Sequence, residues 1–256
     1  VIDASGVGAG GMALVISVVY RGRALPLAWL VVKAKKGHLK EALHIRLLKQ
    51  VQPLLPATSR VVFLGDGEFD GCRLLRRLEY YGWRYVCRTA KNSQLWLDER
   101  DHYALAKLAV QPGELISLPQ VAFSKHEYGP VLAIAVWQKG YDEPLYLVSN
   151  VLLAEEAVFL YKKRFRIETF FSDQKSRGFH LDKSHLSDPK RLCRLMLGAC
   201  LAYLWLVYLG TVGLVEGWNE VIHRTDRVDL SLFNLGLNLL EHFLNQLMPL
   251  PVAFVP

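Results

Sequence analysis

The chain opens with three short apolar runs, Val1 to Ala4, Met12 to Tyr20 and Ala24 to Lys33. Each is rich in β-branched residues, and only short turn-like breaks separate them, at Gly6–Gly11 and Arg21-Gly22-Arg23. That pattern predicts three consecutive antiparallel strands. His38 to Leu55 then changes period. Leu39, Leu43, Leu47, Leu48 and Val51 recur at helical spacing, and the run stops near prolines. Arg60 to Asp66 reads as a short buried strand ending in an acid, Gly71 to Tyr81 as a helix and Trp83 to Arg88 as another strand. Strands alternating with helices predict a mixed sheet covered on both faces.

The texture shifts from Asn92 to Asn150, where Leu115–Phe123, Val131–Gln138 and Leu145–Val148 alternate like strands of a small β-rich insertion. A long helix is expected over Ala154 to Arg177, and further helices from about Pro189 and over Leu230 to Leu247. The domain reading is therefore 1–91 and 151–210 as two parts of one core, 92–150 as an insertion, and 211–256 as a helical C-terminal part. Leu195 to Val215 has no charge over 21 residues, long enough for a bilayer. No second span of that length occurs and polar segments flank it, so a buried core helix is the expectation, with a membrane helix as the alternative. Asp188-Pro189 marks its start.

The 256 residues carry a net charge of +7, with 52% hydrophobic and 21% charged residues. This excludes wholesale disorder and points to a polyanionic partner. Between Tyr161 and Arg194 ten basic residues face four acids, so this stretch alone holds +6. Such a cluster is either a solvated helix face or a phosphate-binding surface. The four cysteines lack CxxC spacing and read as reduced residues of a cytoplasmic protein. The chain has no initiator Met and begins inside a strand, which reads as a fragment of a longer protein. Gly6 to Gly11 fits G-x-G-x-x-G, but a dinucleotide site needs a helix next, and Met12–Tyr20 reads as strand. His38, His44, His180 and His185 have no metalloprotease spacing and read as surface or helix-cap residues.

Two acids lie at strands of the mixed sheet, Asp3 in the first and Asp66 at the end of the fourth. On an unbroken helix Tyr161, Arg164, Glu168 and Lys175 fall within roughly 60° of one another, a polar stripe unsuited to the core. Tyr161-x2-Arg164-x3-Glu168-x6-Lys175 resembles the Tyr-Arg-Glu-Lys signature of bacterial cut-and-paste DDE transposases, the insertion-sequence enzymes. Val1-Ile2-Asp3, the block Leu64–Gly71 and the stretch Gly178–Asp188 agree with it in order and spacing. The resemblance implies an RNase H-like fold with the first and fourth strands side by side. It implies Asp3, Asp66 and Glu168 as catalytic ligands of two Mg²⁺ ions, with Mn²⁺ able to substitute. Tyr161, Arg164 and Lys175 would bind phosphates. Trp137 is either a core side chain or the aromatic that holds a flipped base.

By the same resemblance the partners are double-stranded DNA at transposon ends and target, and a second copy of the chain in a synaptic dimer. The location is then the bacterial cytoplasm, at the nucleoid. Glu68 and Asp70 crowd Asp66, and the motif favours Asp66 because it ends the strand. Family members often carry Arg where this chain has Gly67. Alternatives are an RNase H-like nuclease that cuts without strand transfer, and an inactive DNA-binding remnant.

Overall fold

The computed structural model describes residues 1–35, 37, 39–97, 101–223 and 230–251. Two compact units emerge: Val1–Gly6 with Met12–Thr169, and Val7–Gly11 with Phe170–Pro256.

In the first unit the opening alternation forms β1 (Ile2–Val7), β2 (Gly11–Tyr20) and β3 (Arg23–Lys33), a sheet of order β1-β2-β3. The β2–β3 turn puts Arg21 at φ 46° and Gly22 at φ 78°, the positive pair that a two-residue hairpin of primed type needs. Strand follows the glycine-rich turn, as the sequence reading required against a dinucleotide site. Helix α1 (Glu41–Val51) buries Leu47, Leu48 and Val51, and α2 (Cys72–Tyr80) buries Leu74, Leu75 and Leu78. His38 lies outside the described residues.

A second sheet begins with β4 (Val62–Gly65) parallel to β5 (Arg84–Arg88), the two joined by α2 as a crossover. It continues through β6 (Gln94–Trp96), β7 (His102–Ala104), β8 (Leu115–Phe123), β9 (Tyr128–Val136) and β10 (Leu145–Ser149). The seven strands stand in the order β4-β5-β10-β9-β8-β6-β7. The β-rich stretch thus extends the sheet that β4 and β5 begin, with β10 antiparallel to β5. The architecture is a mixed α/β fold of the RNase H-like kind.

Two expectations about this unit need correction. β1 and β4 share no ladder: β1 edges the three-stranded sheet, and β4 edges the seven-stranded one. Val1, just ahead of β1, packs instead on the cluster of Leu64, Val86 and Tyr161. The helix expected over Ala154–Arg177 is also broken. It forms α3 (Ala154–Tyr161), a 3₁₀ turn at Lys162–Phe165, and α4 (Arg166–Gln174). Buried positions here step by three, Tyr161, Arg164 and Ile167. Three residues per turn eclipses i and i+3, so tightening the helix aims all three side chains inward.

In the second unit the tip 7–11 donates backbone hydrogen bonds from Gly8 to Leu181 (3.0 Å) and from Ala9 to Leu186 (2.8 Å). The apolar segment is α5 (Pro189–Val215), capped by Asp188 Oδ1 accepting from the Arg191 amide at 2.8 Å. After a short α6 (Asn219–Ile222), α7 (Leu232–Asn245) packs against α5. Gly210 of α5 and Gly236 of α7 make that approach close. A Cβ on Gly210 would overlap the Leu232 carbonyl oxygen, and one on Gly236 the Leu206 carbonyl oxygen. By length and composition α5 could cross a membrane, yet one face packs on protein and the other is open. The expected core helix is covered on one side only.

Two stability outcomes follow. Gly210→Ala or Gly236→Ala destabilises by at least about 1–3 kcal/mol, because backbone must shift. Gly198→Ala, with nothing near its Cβ, stabilises by up to about 1 kcal/mol; thermal unfolding followed by circular dichroism separates them. His44, expected at the surface, is buried against Phe69, and burial lowers its pKa to about 4. The unfolded chain binds this proton first, so stability is intact above pH 6.5 and falls as pH drops from there towards 4. The loss is on the order of 2–3 kcal/mol. Denaturant titrations at pH 7 and pH 4.5 should show that His44→Phe flattens this dependence.

Candidate active site

Asp66 follows the last residue of β4, where the strand gives way to a turn. Its Oδ1 accepts from the Glu68 amide at 3.0 Å, and its carbonyl accepts from the Phe69 amide at 3.0 Å. The neighbouring acids are engaged elsewhere. Glu68 Oε1 accepts from the Leu39 amide at 2.9 Å and lies 3.9 Å from His44 Nε2. Asp70 Oδ2 accepts from the Thr89 hydroxyl at 2.6 Å, and burial is the main reason its carboxyl pKa is raised. Asp66 is thus the acid of this loop that faces the cleft described below.

Asp3 sits in β1, its Oδ1 accepting from the Ala4 amide at 2.7 Å. Burial pushes its carboxyl up to about 6, helped by the negative charges of Asp66 and Glu168 and opposed by the Ala4 amide and Arg164. Asp3 therefore feels both other acids although the three come from β1, the end of β4 and α4. Glu168 is the exposed member, its side chain 53% accessible.

Arg164 ties Glu168 to Asp3. Its Nη2 donates to Glu168 Oε1 at 2.7 Å, and its Nη1 lies 3.7 Å from Asp3 Oδ2. The guanidinium also stands over the rings of Tyr161 (5.6 Å) and Phe165 (4.4 Å). Burial pulls the Arg164 pKa down, but Tyr161, Glu168 and Asp3 outweigh it and the net shift is upward. Tyr161 is buried at 2% exposure, and burial raises its hydroxyl pKa against the pull of Arg164 and Arg88. The stripe expected to be polar and outside the core is corrected here, since Tyr161 and Arg164 both point inward. Lys175 follows α4 in the second unit, its amide donating to the Phe171 carbonyl at 3.1 Å.

Carboxylate oxygens are the donors a hard divalent cation prefers, and Asp3, raised mainly by burial and further by the charges of Asp66 and Glu168, is an acid that a nearby positive charge would favour in its ionised form. Arg164 supplies such a charge to Asp3 and Glu168. Among the described residues no group of three His, Cys, Asp or Glu side chains stands close enough to hold a metal ion together.

Beside Asp66 opens a cleft of about 510 Å³ whose walls include Arg88, Thr89, Lys91, Trp137 and Tyr146. Trp137 follows β9, half-buried, its indole N–H donating to the Tyr141 carbonyl at 2.8 Å. It is neither core nor free surface. Arg88 and Lys91 were missed by the sequence reading. Nothing in the sequence pairs them with Asp66: it is the parallel register of β4 and β5, with Gly65 opposite Cys87, that lets Asp66 and Arg88 leave adjacent strand ends together. Positive charge thus borders the acid even though Gly67 replaces the expected arginine.

A family model described as the transposase DDE domain matches residues 6–205. The matched span includes Asp66 and Glu168 and starts three residues after Asp3. No curated protein matches the chain. With most of its length covered by that model, the chain belongs to the DDE transposase family and is a DNA transposase domain.

Proposed function

We propose that this domain cuts DNA at transposon ends and joins the freed end to a new site, with Asp3, Asp66 and Glu168 as its catalytic carboxylates. The observation that carries the reading is the Arg164 guanidinium shared by Glu168 and Asp3 while Asp66 and Glu168 raise the Asp3 carboxyl. Asp66 stands on the wall of a cleft that Arg88 and Lys91 also line, an arrangement that suits a phosphodiester, and Asp3 and Glu168 are joined through Arg164. The assignment to the Tyr-Arg-Glu-Lys subgroup rests on the residues quoted above.

Asp3, Asp66 and Glu168 would hold two Mg²⁺ ions, or Mn²⁺ in their place. Bound there, such ions activate the attacking oxygen and stabilise the departing one. The protein's own contribution is positional. Arg164, fixed by Tyr161 and Phe165, orients Glu168 and Asp3, and is also the residue able to clamp two phosphate oxygens. Tyr161 acts through Arg164, because its ring is buried. Lys175 adds a point charge for the DNA backbone. Trp137 offers a ring face on the cleft wall for an unstacked base.

In this reading residues 1–91 and 151–210 are the catalytic core, 92–150 frame the cleft, and 211–256 are a helical C-terminal part. Two copies of the chain act together on the ends and target, at the nucleoid in the cytoplasm.

Duplex oligonucleotides bearing the element's own ends test this in Mn²⁺ and in Mg²⁺. Asp66→Asn, Glu168→Gln and Asp3→Asn each lower cleavage and joining by more than about a hundredfold, as several kcal/mol of charge stabilisation are lost. Calorimetric Mn²⁺ affinity falls in the same variants while their circular dichroism is unchanged. Cutting by Glu168→Gln at the wild-type rate would refute the site, and cutting without joining by the wild type would favour the nuclease reading. Arg88→Ala lowers the slope of log affinity against log salt by about 0.9, one phosphate's worth. An unchanged slope removes Arg88 from the DNA path.

A further inference from the structure

Helix α5 carries two apolar seams, and only one of them is covered. Met196, Ala199, Tyr203, Leu206, Gly210 and Gly213 recur at alternating steps of three and four residues and are buried. On that side α5 meets α7. The same spacing is repeated five residues further on, about 140° around the helix. This second series is Leu197, Leu201, Leu204, Tyr208, Thr211 and Val215. Leu197, Leu201, Tyr208 and Val215 are 51%, 53%, 58% and 80% exposed, and Thr211 is exposed beside them. Thr211 donates its hydroxyl to the Val207 carbonyl at 2.8 Å, within its own helix, which satisfies its polar atom and leaves its methyl for packing.

A seam with three-four spacing over five turns is the pattern of a helix that packs along another helix. Its ends decide which helix. Towards the N-terminus the series runs on through Lys190 and Arg194, both exposed, and at the C-terminus Glu216 follows Val215, also exposed. We infer that the open seam of α5 binds the α5 of a second copy of this chain, antiparallel, about a two-fold axis near Leu206.

In that register Leu197 faces Val215 of the second copy, Leu201 faces Thr211, and Leu204 faces Tyr208. Arg194 falls level with Trp218, past Val215, where the Glu216 carboxylate accepts from the Trp218 indole at 3.1 Å and lies within an arginine's reach, and the two-fold repeats the attraction at the other end. Large residues meet smaller ones along the seam, and the helix dipoles oppose. A parallel pairing would instead set Arg194 on Arg194, Glu216 on Glu216 and Tyr208 on Tyr208. A bilayer would take the apolar stripe with no use for opposite charges at its two ends.

The inference deepens the homodimer reading above by naming its surface, and it is tested without DNA. Sedimentation of the 256-residue chain across a micromolar concentration series should show a reversible dimer. Leu201→Glu with Tyr208→Glu should make it monomeric with unchanged helicity and melting, since both side chains are exposed. Arg194→Glu and Glu216→Arg should each weaken dimerisation about three- to tenfold, and together restore it. A dimer that survives Leu201→Glu/Tyr208→Glu overturns the seam but leaves the homodimer reading standing. A chain monomeric at every concentration overturns the seam. The homodimer reading then fails as well if only one copy binds a pair of DNA ends. Flotation with phosphatidylcholine–phosphatidylglycerol vesicles, lost in Leu201→Glu/Tyr208→Glu, would overturn the inference in favour of a membrane face.

Discussion

A guanidinium held at 6% exposure must be surrounded by acceptors and anions, because an unpaired buried charge costs several kcal/mol. Arg164 finds them in Glu168, four residues along, and in Asp3, which arrives from the far end of the sequence. The rest of the site depends on this. The 3₁₀ turn at Lys162–Phe165 exists where Tyr161, Arg164 and Ile167 must all turn inward. Glu168 then emerges on the first turn of α4, exposed but tethered. The arginine therefore sets the conformation of the chain as well as the spacing of the acids.

The neighbouring acids show how one loop divides its labour. Glu68 and Asp70 are bound by the Leu39 amide and the Thr89 hydroxyl, so they hold the loop to α1 and β5. Asp66 remains at the strand end with a half-buried carboxylate. The parallel pairing of β4 with β5 brings Arg88 alongside it, so acid and base leave the sheet at the same end of neighbouring strands. That shared strand end explains how a DDE transposase domain can lack the arginine expected at position 67 and still present positive charge to its cleft.

Much of this was legible beforehand. The three opening strands, the strand ending in Asp66, the helix capped by Asp188 and the family itself all follow from period, turn residues and one spaced motif. These are local properties, carried by residues a few positions apart. The stripe of Tyr161, Arg164, Glu168 and Lys175 was misread because its phase assumed an unbroken helix. His44 was misread because nothing near it in sequence shows that Phe69 will cover it. The ladder expected between β1 and β4 came from the fold class, whereas these strands belong to separate sheets and Val1, just ahead of β1, packs on the cluster that holds Leu64.

The sequence by itself determined the order of the elements, most of their types, the family and the concentration of positive charge between Tyr161 and Arg194, since each is written in composition and short-range spacing. Tertiary structure decided which side chains lie inward, that Arg88 stands beside Asp66, and that one seam of α5 is covered while its twin is open. Those outcomes are sums over residues far apart in the chain. Burial, charge pairing and close glycine packing are settled only when distant segments compete for the same space.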